Sequence, residues 1–406
     1  MRGSGFLTAL WLLAAAPPIV GQAPTDYPQW RGKSRDGSAS AFVAPTSWPA
    51  VLAQGWTRDV GAGYATPLVV SDVVYTFTRQ NNDEVLTAMQ AGTGAVLWQT
   101  RYPAPYAPIA PAAGHGAGPK ATPLWYGGRL YTLGISGIVS AFDAASGALV
   151  WQKPAPAEHP VYGAAVSPVA DQGLVMVHPG NYGPLTAFEA STGEVKWSGT
   201  EGGVFASPLV VDLEGARQVV TVTQQHVVGM SIPDGRLLWQ HPWPMRATPS
   251  AITPLLYRDT VLVGGQGMGI TALRPQRHDS AWVVDVAWEV KEASLFLSNP
   301  VLIEDTLFGL SERASGQYFA LDARTGTLLW LGPPRQALNT AIVKAGDLLF
   351  LLNDTAELIV AKANRTGFAP LKRYNVAPSA TWAQPAISGR RLFVKDVSSL
   401  TLWTVD

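Results

Sequence analysis

Cysteine is absent from all 406 residues. That excludes disulfides, thiolate metal sites, catalytic thiols and lipid attachment through an N-terminal cysteine. Charge is scarce as well. Lys plus Arg and Asp plus Glu each number 29, so the formal net charge is zero, and only 14% of residues are charged. Such a chain offers no basic surface to nucleic acid or an anionic membrane. Long apolar runs are missing beyond the N-terminus, and the one between Phe6 and Ala16 falls short of the roughly 20 residues a membrane span needs. Flanked by Arg2 and by Ile19-Val20-Gly21, it reads as a secretory signal peptide over residues 1–21. The mature protein is expected to be exported, periplasmic or secreted, and monomeric. Catalytic signatures are missing too: there is no Gly-x-Ser-x-Gly elbow, no His-Glu-x-x-His and no nucleotide-binding glycine fingerprint.

Glycine (40), proline (32) and tryptophan (15) are plentiful, as in a turn-rich β-protein. They fall in a repeat. Each unit starts on a small or polar residue followed by proline: Thr66-Pro67, Thr122-Pro123, Ser167-Pro168, Ser207-Pro208, Thr248-Pro249, Asn299-Pro300 and Gln384-Pro385, with Thr340-Ala341 filling the gap. Subtracting successive positions gives separations of 56, 45, 40, 41, 51, 41 and 44 residues. Each unit ends on a turn glycine and a tryptophan four residues later: Gly94 and Trp98, Gly147 and Trp151, Gly193 and Trp197, Gly235 and Trp239, Gly326 and Trp330. Trp288 is expected to take this part in the fifth unit, and Tyr374 ends the seventh.

Four short strands per unit in a period near 40 residues describe one blade of a β-propeller. Eight starts predict an all-β, eight-bladed propeller of four-stranded antiparallel blades. The last unit runs out at Asp406, while Trp56 precedes the first start. Residues near 52–60 are therefore expected to supply the outer strand of the eighth blade and close the ring without an open edge. The expected organisation is a signal peptide (1–21), a lead-in segment (22–51) and a single propeller domain (52–406).

The Thr-Pro start, the Gly-Arg-Leu-Tyr second strand (128–131), the Ala-Phe-Asp third strand (141–143) and the Thr-Gly…Leu-Trp ending resemble the pyrroloquinoline-quinone-type (PQQ-like) propeller repeat. Residues 121–151, 167–197 and 300–330 match best. The opening Trp30-Arg31-Gly32 and Arg35-Asp36-Gly37 is similar to the lead-in of many exported members. The resemblance implies the architecture of quinoprotein dehydrogenases. It reaches both quinone-dependent oxidoreductases and non-enzymatic scaffolds, such as the lipoprotein that assists outer-membrane barrel assembly. The dehydrogenases carry a cysteine pair over the quinone, calcium ligands and a catalytic aspartate. This chain has no cysteine, and no Glu, Asn and Asp set stands out as calcium ligands. A non-catalytic binding scaffold for a protein partner or small ligand is the expected function, with no required cofactor. A divergent PQQ- and calcium-dependent oxidoreductase and an envelope protein-assembly factor are the alternatives.

Topology predicts where a site lies. In a four-stranded meander, the loop leading into the first strand and the turn between the second and third emerge on one face. The candidates there are His115, Lys120, His178, Asn181, His226, Arg246, Trp382, Gln384 and Lys395. The proline-rich loop 101–121, with His115 and Lys120 among glycines, is read either as a binding element or as a cap over the channel. His115, His178 and His226 make a poor zinc triad, because each comes from a different blade. Asp143, Glu189, Asp234 and Asp322 recur at turn positions and are expected to be structural. Arg35-Asp36 and Lys395-Asp396 read as local ion pairs.

Overall fold

The computed structural model describes residues 23–39, 41–245 and 250–405. Eight four-stranded antiparallel sheets are formed by these residues. Seven are consecutive meanders, and the eighth is composite. Its inner strands are Ala386–Ser388, Arg391–Lys395 and Ser399–Thr404, and its outer strand is Ala53–Asp59, paired to Ser399–Thr404. The chain thus closes the ring with its own N-terminal strand, as Trp56 suggested. No described helix is long and apolar enough to cross a membrane.

The hydroxyls that open each repeat have a structural role. The backbone N–H of Thr66 donates to Thr122 Oγ1 (3.2 Å), that of Thr122 to Ser167 Oγ (3.0 Å) and that of Ser167 to Ser207 Oγ (2.9 Å). In these blades the start thereby satisfies a buried donor of the blade before it, which an apolar residue there would leave unpaired. In the fifth blade the inner strand is Leu255–Tyr257, so the start is Thr253-Pro254. Thr253 N donates to Asn299 Oδ1 (2.8 Å), which continues the pattern. Thr248-Pro249, the start read from sequence, lies outside the described residues. With Thr253 in its place the two uneven separations become 253 − 207 = 46 and 299 − 253 = 46.

The tryptophans clamp neighbouring blades. Trp151 Nε1 donates to Ala190 O of the next blade (3.0 Å), and its ring lies against Gly193 of that blade's last turn. The same arrangement joins Trp56 to Ala91 and Gly94, Trp98 to Ala144 and Gly147, Trp197 to Ile232 and Gly235, and Trp288 to Ala323 and Gly326. Glycine and tryptophan of one repeat therefore serve opposite neighbours. Trp239 departs from this, because the fifth blade extends its third and fourth strands into a hairpin of two ten-residue strands, Gly269–His278 and Ala281–Val290. Its indole instead donates to Gln218 Oε1 within its own blade (2.5 Å).

The lead-in segment fills the channel. Tyr27 bridges to Val69 of the first blade, and Pro28 O accepts from Trp125 N of the second. Arg35 donates to Ser167 O and Pro168 O of the third, Trp30 Nε1 to Thr253 Oγ1 of the fifth, and Arg31 Nη2 to Pro300 O of the sixth. Ser38 bridges to Lys344 of the seventh, and Tyr27 OH donates to Gln384 Oε1 of the eighth (3.1 Å). Residues 27–39 thus spike seven blades from the axis. Arg35 and Asp36 do not pair with each other, because Asp36 pairs with Lys344 (2.8 Å) while Arg35 faces backbone carbonyls.

Candidate functional site

At one mouth of the plugged channel the loops leading into the inner strands surround a basin of about 390 Å³. The residue two positions before each start faces it: Tyr64, Lys120, Ala165, Phe205, Ala251, Leu297 and Trp382, with Asn339 standing in for the seventh blade. Trp30, held by Thr253, rises from the plug to line it. Phe296, Tyr162 and the short 3-10 turn Ala110–His115 complete the rim. All eight blades and the lead-in contribute, so the basin exists only in the closed, plugged ring.

Rings dominate its surface. His115 packs edge-on to Trp382 (4.7 Å between centroids) and Tyr64 (6.0 Å), and Tyr162 meets Phe205 across the mouth (6.0 Å). The charged lining group is Lys120, whose Nζ donates to Tyr162 O (2.6 Å) and retains two further N–H donors by its chemistry. Burial lowers its pKa, and the ammonium is less well solvated for it. Burial and the neighbouring Lys120 both push His115 below the ordinary imidazole value, so it is neutral at pH 7. Among the described residues no Asp or Glu lines the basin. The surface suits a flat or apolar group that carries negative charge. It presents no carboxylate to pair with His115 as an acid–base couple.

Beneath the rim loop 101–121 sits a buried carboxyl that sequence reasoning missed. Glu84 is 0% exposed, accepts from Tyr102 OH (2.7 Å) and Ile135 N (2.6 Å), and is pushed up to about 7 by burial. Arg79 beside it donates to Ala104 O and Ala117 O, holding both ends of the loop. The loop is therefore anchored from below and forms one wall of the basin.

The structure brings His115, Lys120 and Trp382 together. His178 and Asn181 lie in the adjoining wall with Gly163 and Phe205. Both ring nitrogens of His178 are engaged, by Gly183 O (3.0 Å) and Thr221 Oγ1 (2.8 Å), and burial lowers its pKa to about 4. His226 is apart, paired with Glu201 (2.8 Å). Gln384 lies inside the channel, where Nε2 donates to Ile342 O and Oε1 holds Tyr27. Lys395 is 1% exposed and is capped by Asp396 O and Val397 O instead of a carboxylate. Arg246 lies outside the described residues. Among the described residues no group of three His, Cys, Asp or Glu side chains is placed to hold a metal, so the three histidines do not converge. The missed rings had a signal: counting back two from each start finds Tyr64 and Phe205 by the same step that finds Trp382.

Replacing His115 or Lys120 by Ala should leave the melting temperature within about 1 °C of the parent, since both sit at the surface of the ring. A large loss of stability would make the loop a structural brace.

A family model described as outer membrane protein assembly factor BamB matches residues 53–158 and 135–368. The outer membrane protein assembly factor BamB of Yersinia pestis is 23% identical over 324 residues, covering 76% of this chain and 67% of that one. BamB from Moraxella catarrhalis superposes with a TM-score of 0.65 at 15% identity, over 87% of this chain and all of that one. Quinohemoprotein alcohol dehydrogenase from Comamonas testosteroni gives 0.68 at 13% identity, over 95% and 81%.

Proposed function

The chain belongs to the PQQ-like β-propeller family, and from that premise we propose that it is an exported, non-catalytic binding scaffold that receives its ligand in the ring-lined basin. The observation that carries this reading is the convergence of loops from all eight blades on aromatic side chains and Lys120, with no carboxylate among the described residues. The group received is flat or apolar and anionic, presented by a small molecule or by a protein partner. Export rests on the character of residues 1–21.

The quinoprotein neighbours raise the question of PQQ and calcium. Calcium takes six to eight oxygen ligands, carboxylates prominent among them. Among the described residues the basin lining supplies Asn299, Asn339 and Ser207 but no Asp or Glu. Asn299 Oδ1 already accepts from Thr253 N, and Asn339 Oδ1 from Ser298 Oγ. This donor set does not fit a calcium-anchored quinone. Melting the purified protein with PQQ, with and without calcium, is expected to show no calcium-dependent shift. A calcium-dependent rise would revive the oxidoreductase reading.

The family match favours a second reading, in which the partner is a protein of outer-membrane assembly. Tagged protein and its Lys120→Glu/Trp382→Ala variant separate the two sources of ligand in an envelope extract. Proteins retained by the parent and lost by the variant support a protein partner at the basin. Equal retention by both would remove the basin from that role.

A further inference from the structure

The lead-in segment places two arginines in the core of the molecule. Arg31 and Arg35 are each 2% exposed. Arg31 donates through Nε to Arg35 O (3.1 Å) and through Nη2 to Pro300 O (2.6 Å). Arg35 donates through Nη1 to Pro168 O and Gln29 Oε1, and through Nη2 to Ser167 O. These acceptors are carbonyl groups, so the guanidiniums are hydrogen-bonded without being neutralised. Burial lowers Arg31 to about 10 and Arg35 to about 9, which leaves both cationic at neutral pH, and each repels the other.

The nearby carboxylate is Asp36. It is committed to Lys344 through Oδ2 and accepts from the Ser38 backbone and hydroxyl through Oδ1. Three cations, Arg31, Arg35 and Lys344, therefore face one anion. An uncompensated buried charge is among the least favourable features a fold can hold. One nitrogen of each guanidinium is also left over: Arg31 Nη1 and Arg35 Nε are buried with no partner. Unpaired buried donors with excess positive charge are what an enclosed anion resolves, since it accepts the N–H bonds and cancels charge together.

We propose that the propeller channel encloses a small monovalent anion of chloride size, held by Arg31 Nη1 and Arg35 Nε. Being closed off from solvent, it is taken up as the lead-in seats and is part of the folded structure, independent of any ligand in the basin. It ties the lead-in to the third and sixth blades through the carbonyls that hold the same two arginines.

Two measurements test this on the full mature chain. Crystals grown in sodium bromide should show an anomalous peak within hydrogen-bonding distance of both nitrogens. In solution, melting at matched ionic strength should rise saturably, by roughly 2–4 °C, when chloride replaces gluconate. Arg31→Gln and Arg35→Gln should each abolish that anion-specific difference. If either variant fails to fold, the bromide peak in the parent remains decisive. A bromide map with no peak there and superimposable melts in chloride and gluconate would overturn the proposal, leaving water as the partner of the two donors.

Discussion

Gly193→Ala should lower stability by about 2–5 kcal/mol in the native ring, but by only about 1–2 kcal/mol once Trp151 is also alanine. Gly193 has φ +72°, a left-handed conformation that a Cβ disfavours in any background. The larger part of the effect is steric. A Cβ at 193 would stand 2.6 Å from Trp151 Cδ2 and 2.8 Å from Cε3, so the indole of the preceding blade must move and loosen its bond to Ala190 O. Trp151→Ala alone should cost about 3–5 kcal/mol, as large aromatic truncations in packed cores do. In the double variant the steric part has nothing to act on. Denaturant unfolding of the four proteins should therefore give a coupling energy of about 1–3 kcal/mol. Additive losses would show that the blades are held together by something other than this ring-on-glycine contact.

Glu84 should make the protein less stable as pH rises from about 4.5 to above 7. Its folded pKa is near 7 against an ordinary value of 4.5, because burial disfavours the charged form. The folded state thus binds the proton more tightly than the unfolded state. The associated stability is fully present below about 4.5 and is lost as pH rises through 7. A difference of that size is worth on the order of 3 kcal/mol. His178 works in the opposite sense. Burial depresses it to about 4 from 6.5, so its contribution is present above 6.5 and lost as pH falls through 4. Glu84→Gln keeps an acceptor for Ile135 N and gains a donor toward Tyr102. His178 contributes equally to parent and variant, so the parent's melting temperature measured relative to that of Glu84→Gln should decline between pH 5 and 8. Parallel profiles would mean that Glu84 is ionised in the folded protein at neutral pH.

Much of the ring was legible in the chain because propeller blades repeat their chemistry as well as their length. Trp56 ahead of the first repeat announced the closing strand, and Trp288 was recognisable although its turn had been replaced by a hairpin. The fifth start was displaced because Thr248-Pro249 and Thr253-Pro254 offer the same dipeptide five residues apart. The inner strand at Leu255–Tyr257 and the bond from Thr253 N to Asn299 Oδ1 single out the second. The site was half legible. His115, Lys120 and Trp382 fall in the basin because loop order places them there. His178, Gln384 and Lys395 share the face but turn inward, where backbone carbonyls and hydroxyls satisfy them. Side-chain direction within a loop depends on contacts between blades, and one blade's sequence does not encode it. The filling of the channel was hidden for the same reason. Arg31 and Arg35 look like exposed charges until the carbonyls of the third and sixth blades are brought round them.

The most direct test of the basin is a binding isotherm for a naphthalene carboxylate, read through tryptophan fluorescence and set beside its aminomethyl analogue. Trp30 and Trp382 both line the basin and should report occupancy. The carboxylate should bind saturably. It should weaken on the order of 10–100-fold in Lys120→Met, the equivalent of one charge-assisted hydrogen bond, and remain unchanged in His226→Ala. The aminomethyl compound should bind far more weakly. Equal binding of the two compounds, or no effect of Lys120→Met, would contradict a basin built to receive a ring and its negative charge.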